Sequence, residues 1–191
     1  ALHWEPSLDQ PTLESITTLL SHRGPDDAGY WSESGMSLGF RRLAIIDLSP
    51  AGHQPMPNET GTLRLVYNGE IYNHVALREQ LRQKGHKFSS QTDTECILHG
   101  YEEWGQGVVD HLRGMFAFAL WDQTRQTLFL ARDRLGIKPL YYYWDGRRFA
   151  FASEIKALTA LPKANLGQDH SALWDYLTYL YIPSPKTVYK H

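Results

Sequence analysis

The sequence predicts an α+β protein built as a four-layer sandwich: helices, two antiparallel sheets face to face, and helices again. Three observations predict it. Strand-like runs follow one another across short turns, and Asp145-Gly146 inside "PLYYYWDGRRFAFASE" is a strong hairpin signal, so neighbouring strands run antiparallel. "FAFAL" and "FAFAS" are apolar on both faces, although an antiparallel sheet ordinarily wets one, so these strands need cover from a second sheet and from helices. Amphipathic stretches are available to give that cover; Ile97, Leu98, Tyr101 and Trp104 form one apolar stripe.

Taken in order, "PTLESITTLLSHRGP" reads as a helix, with Pro11 in its first turn, Leu13, Ile16 and Leu20 on one face, and Gly24-Pro25 as its stop. "AGYWSES" and "MSLGFRRLAIID" follow as strands, then "LRLVYNG". A helix is expected from an Asn73 cap to about Gly85, and another from "TDTE", where Thr92 and Glu95 have capping-box spacing. After a helical turn in "VVDHLRG" come the strands "MFAFALWD" and "TLFLARD" and the Asp145-Gly146 hairpin. The compact pattern ends near Leu161-Pro162, and "HSALWDYLTYLYIPSP" reads as a separate helix running into a proline-rich stop. The expected division is one domain over residues 1–160 and, over 161–191, a linker and the start of a further domain.

The totals exclude several classes. At 191 residues, 42% hydrophobic and 21% charged, the chain suits a globular domain with a core of its own. A net charge of −2 gives no electrostatic footprint for nucleic acid or for an anionic membrane as partner. No apolar run is long enough to span a bilayer, and "ALHWEPSLDQ" does not open like a signal peptide, so a cytoplasmic setting is expected. The single cysteine, Cys96, excludes an internal disulfide. The nine histidines show no metal-ligand spacing, and no metal site is expected.

Five residues stand out chemically. Asn68-Gly69-Glu70 sits where a buried strand is expected to end and a helix to begin. A bare Asn-Gly is usually a turn. Here an Asn amide and a Gly N–H can instead converge on a developing negative charge as an oxyanion hole, with Gly giving close access. Arg41 and Arg42 alternate faces, so one can be a solvated charge while the other forks a carboxylate. Asp93 reads plainly as a helix-start acid, and equally as the partner of a substrate ammonium. Together, Arg42 for an α-carboxylate, Asp93 or Glu70 for an α-ammonium, and Asn68 with Gly69 at a carbonyl describe a pocket for a free amino acid such as glutamine.

"HRGPDDAGYW", "RRLAIIDLS", "QPM", "YNGEIYN", "TDTE", "GMFAFALWD" and "RDRLGIKPLYY", in that order, resemble the class II glutamine amidotransferase domain of glutamine-hydrolysing asparagine synthetases, which are N-terminal-nucleophile (Ntn) hydrolases. The resemblance spans residues 1–160 and implies the same αββα sandwich. It implies Asn68 and Gly69 as oxyanion donors, Arg42 as carboxylate binder, Glu70 and Asp93 near the substrate amine, and Leu43 and Ile45 flanking the pocket. "RDRLGIKPLYY" reads as a structural loop with charged anchors. The implied partner is a C-terminal synthetase domain that takes the ammonia and amidates aspartate. ATP and Mg2+ would belong to that domain, with no cofactor in this one; a homodimer is an allowed assembly.

One departure matters. The family's nucleophile is an N-terminal cysteine, and this sequence opens Ala1-Leu2-His3. Either a short segment carrying the cysteine precedes "ALHW", itself read as the tail of a first strand, or the domain is a nucleophile-less scaffold of the β-lactam synthetase type. Pocket residues retained throughout favour the first reading. On either, the chain as given is expected to be inert toward glutamine. Cys96 is expected to be a buried helix residue and not a substitute nucleophile.

Overall fold

The computed structural model describes residues 7–190, so the expected strand tail at Ala1–Trp4 lies outside the described residues. The chain divides into two compact units, residues 7–140 and 141–190.

The first unit contains four layers. α1 (Gln10–Thr18) starts where the Asp9 carboxylate accepts from Thr12 N at 2.8 Å, with proline in the first turn where no N–H is needed. It packs on the hairpin β1 (Asp27–Glu33) and β2 (Met36–Arg42). Contact is closest at Gly39, where a Cβ would come within 2.1 Å of Thr17 Oγ1. The hairpin in turn contacts a four-stranded antiparallel sheet of order β3-β4-β5-β6, comprising Met56–Pro57, Leu63–Ile71, Gly114–Asp122 and Thr127–Arg132. Between the two sheets the Arg64 guanidinium lies 5.4 Å from the Trp31 ring centre, and Trp121 Nε1 donates to Glu33. On the far face lie α2 (His74–Gln83), α3 (Thr94–Trp104) and the short α4 (Val108–His111), around Leu65, Ile71, Leu81, Ile97 and Leu120. Residues Phe116–Asp122 of β5 are buried on both faces, as "FAFAL" required.

Several local expectations change. β2 stops at Arg42 instead of running on to Asp47, because the Arg42 guanidinium takes the carbonyls of Asp47 and Ser49 and curls the chain back. β4 does not end at Asn68-Gly69; the pair lies inside the strand, opposite Ala117 and Phe116, and pairing continues through Ile71. Partnership with β5 overrides the local turn preference. The Thr92–Glu95 capping box does not form. Glu95 instead accepts from the backbone N–H groups of Ser89 at 2.7 Å and Ser90 at 2.9 Å, and Asp93 stands at the cap position. Asn73 precedes α2 as expected, but its side chain reaches across to Arg113 N and His111 O, both at 2.9 Å. "RDRLGIK" is a loop organised by one carboxylate, Asp133, which accepts from the N–H groups of Phe116, Ile137 and Lys138.

The second unit holds the hairpin β7 (Tyr141–Trp144) and β8 (Phe149–Ala152), with Gly146 at φ +88° in its turn, followed by α5 (Ile155–Thr159) and α6 (His170–Tyr179). Unlike β5, β8 is half-buried, so among the described residues the cover on both faces expected for "FAFAS" is incomplete. Among the described residues no helix is long and apolar enough to cross a membrane.

Candidate active site

β4 alternates cleanly. Leu65, Tyr67 and Ile71 face the helices, while Asn68 and Glu70 face the layer between the sheets. The backbone alternates too, in the plane of the sheet. Tyr67 N donates to Gln54 Oε1 at 2.7 Å and Ile71 N to Asp93 Oδ2 at 2.8 Å, both away from β5. Residues two apart on a strand point their N–H groups the same way, so Gly69 N–H is directed to this edge as well, between the two occupied positions. β3 does not cover it, since it pairs only with Leu65 and Arg64. Next to it, Asn68 Nδ2 is buried without any hydrogen-bond partner among the described residues. A buried amide left unsatisfied costs about 1–3 kcal/mol, so this donor is free to serve an acceptor. The absent Cβ of Gly69 serves packing: it would fall 2.3 Å from Met115 O and 2.8 Å from the Tyr67 ring. The close approach of β5 therefore requires a glycine here in its own right.

Asp93 is 5% exposed and reaches the same edge from the helix layer. Its Oδ2 accepts from Tyr67 OH at 2.6 Å as well as from Ile71 N, and among the described residues no bond is made to Oδ1. Burial, followed by the neighbouring Asp93 charge, pushes the Tyr67 phenol well above its ordinary range, so it remains a donor. The segment before Asp93 is held by Arg78, which donates to Ser90 O at 2.6 Å and Thr92 O at 2.7 Å, and by Glu95. Burial alone would raise the Glu95 carboxyl; the nearby His99 ring and the bonds from Ser89 and Ser90 outweigh it and hold it at about 2.

Arg42 is 8% exposed and lies on the face of β2 opposite α1, in the layer shared with Asn68 and Glu70. Two of its five N–H groups hold the loop carbonyls of Asp47 and Ser49. Its Nη2 also underlies Gly52, where a Cβ would come within 2.1 Å of it and 3.1 Å of Thr92 Cγ2, so Arg42 and the Thr92–Asp93 segment meet across one glycine. Leu43 and Ile45 are 54% and 71% exposed on the loop that Arg42 clamps. Glu70 is exposed. Arg42 and Glu70 share no hydrogen bond with Asn68 or Asp93. Cys96 is fully buried with Sγ 3.5 Å from His74 O, and burial pushes its thiol up to about 12, which excludes it as a ready nucleophile.

Gln54, Tyr67, Gly52 and Arg78 were not singled out from sequence. Gln54 lies in the quoted "QPM", so the motif contained a signal; Tyr67 and Arg78 look like ordinary members of a strand and a helix until their partners are known.

Residues 2–191 match the family described as the glutamine amidotransferase domain. Asparagine synthetase (glutamine-hydrolyzing) 3 of Bacillus subtilis is 46% identical over 167 residues, covering 86% of this chain and 27% of that protein. Amidase chry2 of Gibberella zeae is 44% identical over 150 residues, covering 78% of this chain and 22% of that protein. The chain thus spans about a quarter of the length of these relatives. Among solved structures, the allosteric regulatory enzyme of purine biosynthesis superposes with a TM-score of 0.56 at 25% identity, over 67% of this chain and 30% of that one. Glutamine phosphoribosylpyrophosphate amidotransferase from B. subtilis gives 0.57 at 24% identity, over the same 67% and 30%, and shares the αββα fold of the Ntn hydrolases. The chain belongs to the glutamine amidotransferase domain family, in the form carried by glutamine-hydrolysing asparagine synthetases.

Proposed function

We propose that this domain binds glutamine at the open edge of β4 and hydrolyses its side-chain amide to glutamate and ammonia. The single observation that carries the reading is Asn68 Nδ2, buried and unpartnered beside the edge-directed N–H of Gly69. Two such donors match the two lone pairs of a carbonyl oxygen becoming an oxyanion. A cysteine thiolate adds to the amide carbon, the C–N bond breaks with a proton delivered to the nitrogen, and water then cleaves the thioester. Asn68 and Gly69 stabilise the oxyanion at both additions. Asp93 Oδ1, with Glu70, receives the α-ammonium, the remaining N–H groups of Arg42 receive the α-carboxylate, and Leu43 and Ile45 wall the pocket. The thiol comes from a cysteine other than Cys96.

In this reading residues 1–160 are the glutaminase and 161–191 lead into a cytoplasmic, ATP-dependent synthetase domain that amidates aspartate. ATP and Mg2+ act there. The names of the glutamine-hydrolysing asparagine synthetases among the relatives support this reading.

The test uses the chain extended to begin with a cysteine ahead of this sequence, with glutamate release as the readout. Asn68→Ala is expected to lower kcat about 100-fold with KM little changed, since the donor acts where charge develops. Turnover within threefold of the parent refutes the oxyanion assignment. No turnover in the cysteine-bearing parent favours a scaffold without a nucleophile.

A further inference from the structure

Away from this site, the fold gathers a second set of donors that spacing in the sequence does not reveal. His86, in the loop after α2, and His99 and Glu102, one turn apart on α3, bring ligand atoms within 4.8 Å of one another. His99 Nδ1 lies 3.0 Å and His86 Nδ1 3.5 Å from the same oxygen, Glu102 Oε2. A tetrahedral ion with bonds of about 2.0–2.2 Å holds its ligands about 3.3–3.6 Å apart, so these donors need only small shifts to surround one.

The outer contacts point the same way. Each ring turns its other nitrogen toward a further carboxylate: His99 Nε2 faces Glu59 at 3.6 Å and Glu95 at 3.8 Å, and His86 Nε2 faces Glu103 at 3.5 Å. A histidine that ligates through Nδ1 must keep its proton on Nε2, and a carboxylate opposite that proton fixes the tautomer and strengthens the ligand. His99 is 2% exposed, and its Nε2 is buried without a hydrogen bond among the described residues. Glu102 is oriented as well, since Asn58 Nδ2 donates to its Oε1 at 2.9 Å and leaves Oε2 to the two rings. Four carboxylates, of Glu59, Glu95, Glu102 and Glu103, surround the pair of imidazoles, and a dication offsets that concentration of negative charge. A proton on His99, shared with Glu102, is the competing occupant.

We propose that His86, His99 and Glu102 form a site for a divalent cation of the zinc class, with water in the fourth position. Two nitrogens and one oxygen suit zinc better than magnesium or calcium, which take oxygen. The ion would clasp the end of α2 to α3, the helix whose cap is Asp93.

Calorimetric titration of the metal-stripped chain with zinc chloride tests this. One ion per chain is expected, with a rise in Tm on loading. Glu102→Gln and His86→Gln, both at partly exposed positions, should each weaken binding at least about tenfold, and Glu103→Gln, which would reach the ion only by way of the His86 ring and also pairs with Lys84, should weaken it less. X-ray absorption of the loaded parent should report two imidazole nitrogens, a readout that no folding defect in a variant can mimic. Absence of saturable one-to-one uptake, uptake unchanged in both Glu102→Gln and His86→Gln, or absorption without imidazole scattering overturns the proposal.

Discussion

Replacing Asp93 separates two roles that one carboxylate can hold. Asp93→Ala removes the acceptor for Tyr67 OH and for Ile71 N, at 2.6 and 2.8 Å, and both donors are on buried residues. Each buried donor left unsatisfied costs about 1–3 kcal/mol, so the loss should be about 2–6 kcal/mol. Against a typical domain stability of about 5–15 kcal/mol, that is a large fraction. Were Asp93 only a favourable charge at the start of α3, the cost would be at most about 1 kcal/mol. Asp93→Asn retains an acceptor oxygen that can serve both donors while removing the charge, so it should cost about 1–2 kcal/mol and leave the fold intact. If Oδ1 meets the substrate ammonium, Asp93→Asn should nevertheless raise KM for glutamine at least about tenfold, a charged contact being worth about 1.5–3 kcal/mol. Urea unfolding gives the first quantity and glutaminase kinetics on the cysteine-bearing chain the second. An Asp93→Ala loss below 1 kcal/mol refutes the structural role. Unchanged KM in a stable Asp93→Asn variant refutes the substrate role.

Three further outcomes follow from the same geometry. Gly69→Ala should destabilise by about 1–3 kcal/mol, because its Cβ would fall 2.3 Å from Met115 O and β5 would have to move; urea midpoints check this. Burial raises the Asp133 carboxyl, but bonds from the N–H groups of Lys138, Ile137 and Phe116 outweigh it and leave it below its ordinary value. Its stabilisation is therefore complete above the unfolded value of about 3.9 and is lost as pH falls through the lower folded value, so the stability advantage of the parent over Asp133→Asn should shrink below about pH 4. Cys96, with its thiol near 12, should resist alkylation by iodoacetamide at pH 8 in the folded chain and react readily in urea.

What the sequence made legible was whatever depends on near neighbours or on pattern. The both-faced apolarity of "FAFAL" announced a covered strand, and β5 is one. Pro11 and Asn73 marked helix starts within a residue. What it hid depends on distant partners. Asn-Gly is a turn by local preference, and only β5, nearly fifty residues later, holds Asn68-Gly69 extended. Arg42 could be read as a charge on a strand, but not as a clamp on carbonyls five and seven residues away, because the curl of that loop is a consequence of the clamp. The spacing of Thr92 and Glu95 suggested reciprocal capping; Ser89 and Ser90 offer Glu95 four donors instead, and the larger set prevails. The pairing of Gln54 with Tyr67 N joins a side chain to a backbone group thirteen residues on, and no periodicity encodes that.

Three consecutive outward amides on a bare strand margin would ordinarily invite another polypeptide to add itself, the route by which sheets polymerise. Here Gln54 and Asp93 stopper the first and third of those amides with side chains, which cannot propagate a ladder. The gap between them is one residue wide, too short for a foreign strand to gain register. The same two plugs that leave the middle amide open therefore also protect the chain from its own copies.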